Sequence, residues 1–125
     1  MMDEETRILI KIEKDARIKK EMLKLRRLFK DMEKSTMDTV SSLINNAAFM
    51  SITLEDLQET INLEGAIAKY QNGENQWGTK KSPEVDIYNT MIKNHMAIIR
   101  QLSDLLPKAA NVGVGDDFEE FVGSK

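Results

Sequence analysis

The segment from Gly73 to Ser82 contains glycines, lysines and hydroxyl residues, which are the residue types of a phosphate-binding loop. In such loops a lysine directly follows the second glycine and reaches the phosphates, and the next residue, a serine or threonine, binds magnesium. Here Thr79 separates Gly78 from Lys80, and no apolar strand precedes the segment. We therefore predict an ordered turn at this place and no nucleotide binding.

Other catalytic or metal-binding side chains are few. The chain has no cysteine, and His95 is its one histidine, so zinc-finger ligand sets, thiol nucleophiles and most catalytic triads are excluded. His95 falls among apolar positions of a predicted helix, where we expect a hydrogen-bonded core or interface residue. Carboxylates between Asp116 and Glu120 lie in a glycine-containing tail that lacks the rigidity of a cation site. We predict no enzyme activity, no cofactor and no metal.

Basic residues near the N-terminus are the strongest candidates for ligand binding. Residues 1–34 hold 11 of the 18 lysines and arginines against 8 acidic residues, whereas residues 35–70 hold 1 against 5. Such a surface could bind DNA phosphates with little sequence preference. It could equally be a solvated helix face with internal ion pairs, such as Glu13 with Arg17. Self-association favours DNA binding, because an assembly repeats the basic stripe many times.

The overall composition fits one small globular domain. The chain has 125 residues, of which 31% are charged and 41% hydrophobic, and its net charge is −3. Charged residues interrupt every apolar run near the N-terminus, and no segment approaches the roughly 18 apolar residues of a membrane-spanning helix. We expect a soluble protein with no signal peptide and no membrane partner.

A long N-terminal helix must position the basic residues, because the chain from Asp3 to about Lys34 has no glycine or proline. Apolar residues in its second half alternate at spacings of four and three, as in a coiled coil or a helix hairpin. This row consists of Ile18, Met22, Leu25, Phe29 and Met32. An earlier apolar group faces a shifted direction and consists of Ile8, Leu9, Ile12 and Ala16. We therefore predict one long helix that frays or slips in register near Asp15.

Two short central helices and a small hairpin or ordered loop are predicted next. Ser35 with Asp38 gives a capping box for the first central helix, and Thr53 with Asp56 repeats this signal for the second, which Gly65 ends. Within residues 66–82 the dipeptide Asn72-Gly73 is a strong hairpin signal, because both residues tolerate positive φ angles.

A long C-terminal helix is predicted from Pro83, which follows the capping residue Ser82, to about Leu106. Its apolar residues cover about half of the circumference, more than the roughly 100° that a surface helix needs. A single chain with so few helices could hardly cover this arc, so we predict self-association through this helix. The predicted oligomerisation residues are Tyr88, Met91, Ile92, His95, Ile98, Ile99, Leu102 and Leu105.

The expected fold is therefore mainly all-α, in three parts. Residues 1–34 form the long basic helix, residues 35–107 form the helical core and oligomerisation region, and residues 108–125 form a flexible acidic tail. The tail contains two phenylalanines among carboxylates and is typical of a short docking peptide.

One stretch resembles a known family. The run YQNGENQWGTKKSPEVDIYNTM, residues 70–91, is an unusual string that helix periodicity does not explain. With its flanking helices, from about Leu25 to Lys108, it resembles the small subunit of a tailed-bacteriophage terminase, of the short kind found in Gram-positive phages and prophages. The resemblance implies a subunit without a catalytic site, which assembles into a homo-oligomeric ring and binds double-stranded phage DNA. It further implies a large terminase subunit as partner, which carries the ATPase and nuclease, and the host cytoplasm as location, transiently in the packaging motor.

Family members usually place DNA-binding elements near the N-terminus and large-subunit contacts near the C-terminus. On this chain the expected DNA-binding residues are Arg17, Lys19, Lys20, Lys24, Arg26, Arg27 and Lys30, with Lys80 and Lys81 as secondary contacts. The expected docking residues for the large subunit are Phe118, Glu119, Glu120 and Phe121. The alternative, from a different functional class, is a helical oligomeric adaptor or scaffold that does not bind DNA.

Overall fold

The computed structural model describes residues 2–71, 73–74 and 76–106, except for the side chain of Tyr70. The elements in chain order are helix α1 (Glu4–Arg26), a 3-10 turn (Arg27–Phe29), helix α2 (Lys34–Glu64), strands β1 (Ile67–Gln71) and β2 (Trp77–Lys81), and helix α3 (Pro83–Asp104). The protein is mainly helical with a long N-terminal helix, as predicted. None of the helices in the described residues has the length and apolar character needed to cross a membrane.

Helix α1 begins where a side chain caps its free amides. The carboxylate of Asp3 accepts a hydrogen bond from the backbone N–H of Thr6 at 2.7 Å. The helix then continues through Asp15, where we predicted fraying or slippage, and Asp15 forms an ion pair with Lys11 at 2.8 Å. The pairing spans one helical turn, a spacing that supports an uninterrupted helix.

The second half of α1 packs inward as its apolar spacing predicts. Leu25 and Phe29 are buried, and Ile18, Met22 and Met32 pack against the same core cluster. The helix ends at Arg26 rather than near residue 34, because the 3-10 turn tightens the chain there and keeps Phe29 in the core.

The two predicted central helices are one continuous helix, α2. It begins at Lys34, one residue before the predicted cap Ser35. It also passes through Thr53, which was predicted to start a new helix, and Ile52 and Leu54 on either side are buried in it. The burial of these two side chains outweighs the weak helix preference of threonine. Gly65 ends the helix as predicted, with a φ of 86°.

Helices α1 and α3 both pack against α2 and run antiparallel to it. Arg17 of α1 contacts Asp56 of α2, and the amide of Gln58 in α2 donates to the hydroxyl of Tyr88 in α3 at 2.9 Å. The last turns of α1 and α3 therefore meet the first half of α2, where the core lies. The core cluster consists of Leu25, Phe29, Val40, Ile44, Ala47, Ala48, Ile99, Leu102 and Leu106.

Strands β1 and β2 form a hairpin, which is one of the two alternatives predicted for residues 66–82. They are antiparallel, with Ile67 paired to Lys81 and Gln71 paired to Trp77, and Gly73 in the connection has a φ of 116°. The side chain of Trp77 is 69% exposed, so the hairpin projects from the helices and adds little to the core.

The prediction that one chain cannot cover the apolar arc of α3 is wrong for its central residues. His95, Ile99 and Leu102 are buried within the single chain. Four further members of the predicted set, Tyr88, Met91, Ile92 and Ile98, are half-buried, and only Leu105 is exposed. The reason is the length of α2, which at 31 residues gives α3 a longer partner than two short helices would.

Core packing predicts that two leucines contribute very differently to the free energy of unfolding. Leu102→Ala should lower the free energy of unfolding by about 2–5 kcal/mol, because it leaves a cavity at a fully buried position. Leu63→Ala makes the same change at a side chain that is 80% exposed, and its effect should stay within about 0.5 kcal/mol. Urea unfolding of both variants measures the difference; equal losses would show that the last turns of α3 are not packed as described.

Candidate nucleic-acid interface

The outward side of α1 and the turn after it carries a dense set of basic side chains. Within residues 16–30 the chain has seven basic residues and one acidic residue, Glu21. Six of the basic side chains are exposed, and we call them the basic face. They are Lys19, Lys20, Lys24, Arg26, Arg27 and Lys30.

The basic face is positioned by the packing of the opposite side of α1. At about 100° per residue, four of the inward residues lie within an arc of roughly 60°, namely Ile18, Met22, Leu25 and Phe29. Lys19 and Arg26, seven residues apart, lie two turns from each other on one line along the outward side. Lys20 and Arg27 form a second such line. The face is therefore a rigid array, because the helix beneath it is fixed against α2.

Arg17, expected among the DNA-binding residues, contacts α2 instead. Its guanidinium donates to the carboxylate of Asp56 at 2.8 Å and to that of Glu55 at 3.1 Å. The hydrogen bond to Asp56 raises the pKa of Arg17 above its usual value. Lys14 adds to this cluster, with its ammonium 3.9 Å from Asp56 and 5.0 Å from the ring centre of Phe49. These contacts position α1 on α2 rather than presenting charge to a ligand.

Glu21 lies on the α2 side of α1, beneath the basic face. Its side chain is half-buried, and its Oε2 atom is buried without a hydrogen-bond partner among the described residues. Burial raises the pKa of this carboxyl, and the nearby Glu55 raises it further, while Lys24 and Lys20 lower it. The single acid of this segment is therefore directed away from the outward side.

The two hairpin lysines do not join the basic face. Lys80 and Lys81 are successive residues of β2 and so point to opposite faces of the hairpin. Lys81 forms an ion pair with Asp86 at 3.0 Å. Because Arg17 lies level with Asp56, the hairpin after the end of α2 is separated from the basic face by roughly 20–30 Å along the helices. The hairpin lysines and the basic face are therefore not adjacent and do not form one continuous ligand-binding surface.

The residues expected to dock the large subunit, Phe118, Glu119, Glu120 and Phe121, lie outside the described residues. The inward-facing members of the predicted α3 set belong to the core of the single chain.

Sequence reasoning missed that Leu23 lies on the outward side of α1 and is 51% exposed. Its spacing of fourteen residues from Leu9 was the available signal.

Comparison of the chain with protein-family models, with curated proteins and with solved structures gives no match.

The position of Glu21 predicts a pH-dependent stability difference. Because the folded-state pKa is raised above 4.5, the ionised carboxylate destabilises the fold at neutral pH, and protonation relieves this as the pH falls through the folded-state value. Glu21→Gln should therefore raise the free energy of unfolding at neutral pH. This advantage should shrink as the pH falls through the raised folded-state pKa and be lost below 4.5. Denaturant unfolding at several pH values measures this. The matched variant Glu59→Gln, at an exposed position on α2, should show no comparable gain.

Proposed function

We propose that this chain binds duplex DNA through the basic face and serves as a small terminase subunit in phage DNA packaging. The observation that carries the DNA-binding part is the basic face itself, six exposed cations on the outward side of α1 and the turn after it. The packaging role is what the resemblance of residues 70–91 to small terminase subunits implies.

DNA binding by such a face depends on phosphates rather than on base edges. Lysine and arginine side chains neutralise phosphates and release condensed counterions, which gives affinity with little sequence preference. Because the helix is already ordered, DNA binding costs little conformational entropy of the backbone. Several copies in one assembly would present the face repeatedly and raise the overall affinity for a long duplex.

The remaining parts of the proposal follow from the same resemblance. The subunit would assemble into a ring in the cytoplasm of the bacterial host and hand viral DNA to the large subunit. ATP hydrolysis and DNA cleavage would belong to that large subunit. The acidic residues 116–120, with Phe118 and Phe121 as apolar anchors, would form its docking peptide.

A helical adaptor without DNA binding is the second candidate, and one observation favours it. The outward side of α1 carries apolar as well as basic side chains, and Leu9, Ile12 and Leu23 are 62%, 60% and 51% exposed. A helix with apolar residues on two sides is typical of a protein that binds another helix.

Salt dependence distinguishes the two functions. We expect duplex DNA binding whose log affinity falls linearly with log salt. The triple variant Lys19→Gln, Arg26→Gln, Lys30→Gln should reduce that slope by about 0.9 for each phosphate that is no longer neutralised, or about 2.7 in all. Fluorescence anisotropy with a labelled duplex at several salt concentrations measures the slope.

A matched control removes the same amount of charge elsewhere. Lys69→Gln, Lys93→Gln and Arg100→Gln together also remove three exposed positive charges, from the hairpin and from the outward side of α3. This variant should keep nearly the whole slope. An equal reduction in both variants would mean that net charge, and not the basic face, governs binding, and no binding at low salt would favour the adaptor.

A further inference from the structure

Helix α1 carries a second apolar row on the side opposite the core. The row has the spacing of a coiled-coil seam, with Lys19 at the one position where an apolar residue is missing. We call it the outer seam, and it consists of Leu9, Ile12, Ala16 and Leu23.

The outer seam is uncovered in the single chain. All four of its side chains are exposed, including more than half of the surface of Leu9, Ile12 and Leu23. At about 100° per residue the centre of the seam lies roughly 140° around α1 from the side that packs on α2. Neither α2 nor α3 can therefore cover it by a small adjustment.

Charge along α1 indicates what kind of partner fits. Residues 3–15 hold five acidic and three basic residues, a net charge of −2, whereas residues 16–30 hold one acidic and seven basic residues, a net charge of +6. Two copies of α1 in antiparallel orientation place each acidic half against the basic half of the other. A parallel pair would place the two basic halves together, which like-charge repulsion opposes.

We propose that the outer seam binds the outer seam of a second copy of this chain, with the two α1 helices antiparallel about a two-fold axis. In this arrangement Ile12 of one copy lies opposite Leu23 of the other. Glu13 and Lys20 flank the seam at the positions that meet across an antiparallel coiled coil, so each glutamate faces the lysine of the second copy. The contact is isologous, so the pair between Glu13 and Lys20 of the second copy forms twice.

This pairing does not rest on the proposed DNA binding, and its tests contain no DNA. The basic face and the outer seam occupy the same side of α1, so DNA and a second copy would compete for it. A failed pairing test would not refute DNA binding, and a failed DNA-binding test would not refute the pairing.

The mass of the protein in solution tests the interface. Sedimentation equilibrium of the unmodified protein should give the mass of a dimer or of a larger assembly. Ile12→Glu places a charge in the seam, so it should lower the mass of a dimer to that of one chain, or halve the mass of a larger assembly. Ile10→Glu is the matched control, since Ile10 is 49% exposed and lies roughly 130° from the seam. A monomeric unmodified protein, an unchanged mass for Ile12→Glu, or equal effects of the two variants would overturn the proposal.

Exchange of the flanking charges tests the antiparallel pairing. Glu13→Lys alone and Lys20→Glu alone each turn two attractive contacts per dimer into repulsive ones, and we expect the dissociation constant to rise about tenfold in each case. The double variant restores opposite charges across the axis and should return close to the original value. Additive weakening in the double variant would contradict the proposed register.

Disulfide trapping tests the orientation directly, because the chain has no cysteine of its own. We expect a mixture of the Ile12→Cys and Leu23→Cys variants to form the mixed disulfide faster than either variant links to itself under a mild oxidant. Faster linkage of Ile12→Cys to itself would indicate a parallel pair and would overturn the antiparallel arrangement.

Discussion

The packing of α1 on α2 determines which surface this protein presents. Leu25 and Phe29 are buried in the common core. About three helical turns before Phe29, Arg17 donates to Glu55 and Asp56 of α2. An apolar contact at one end and an ionic contact nearer the middle together fix both the position and the rotation of the helix. Every outward residue of α1 owes its exposure to this one contact.

The exposed side of α1 combines two different chemistries along its length. Its second half presents the basic face, which fits the phosphates of a nucleic acid. The outer seam, which fits an apolar helix, begins in the first half with Leu9 and Ile12 and continues into the second half. Because both lie on one side, occupation of either changes access to the other. If the chain both pairs and binds DNA, as proposed, this overlap makes the two states depend on each other, since each ligand shifts the population that the other can bind.

Part of this surface was predictable and part was not. The concentration of basic residues before residue 34 is visible in the sequence, and so is the inward row that ends at Phe29. The ion pairs of Arg17 with Asp56 and of Lys81 with Asp86 were not predictable, because the position of each partner depends on the fold. The exposure of Leu23 was also hidden, since the residues one helical turn before and after it are all basic and conceal its membership of the outer seam.

The sequence by itself determined the local features, namely mainly helical structure, a turn with a positive φ at Gly73, and the end of α2 at Gly65. These depend on backbone preferences of a few neighbouring residues. Only the tertiary structure decided that α2 continues through Thr53 and that His95, Ile99 and Leu102 are covered within one chain. The physical reason is that burial of apolar side chains between helices outweighs the weaker local signals, and such burial depends on residues distant in sequence.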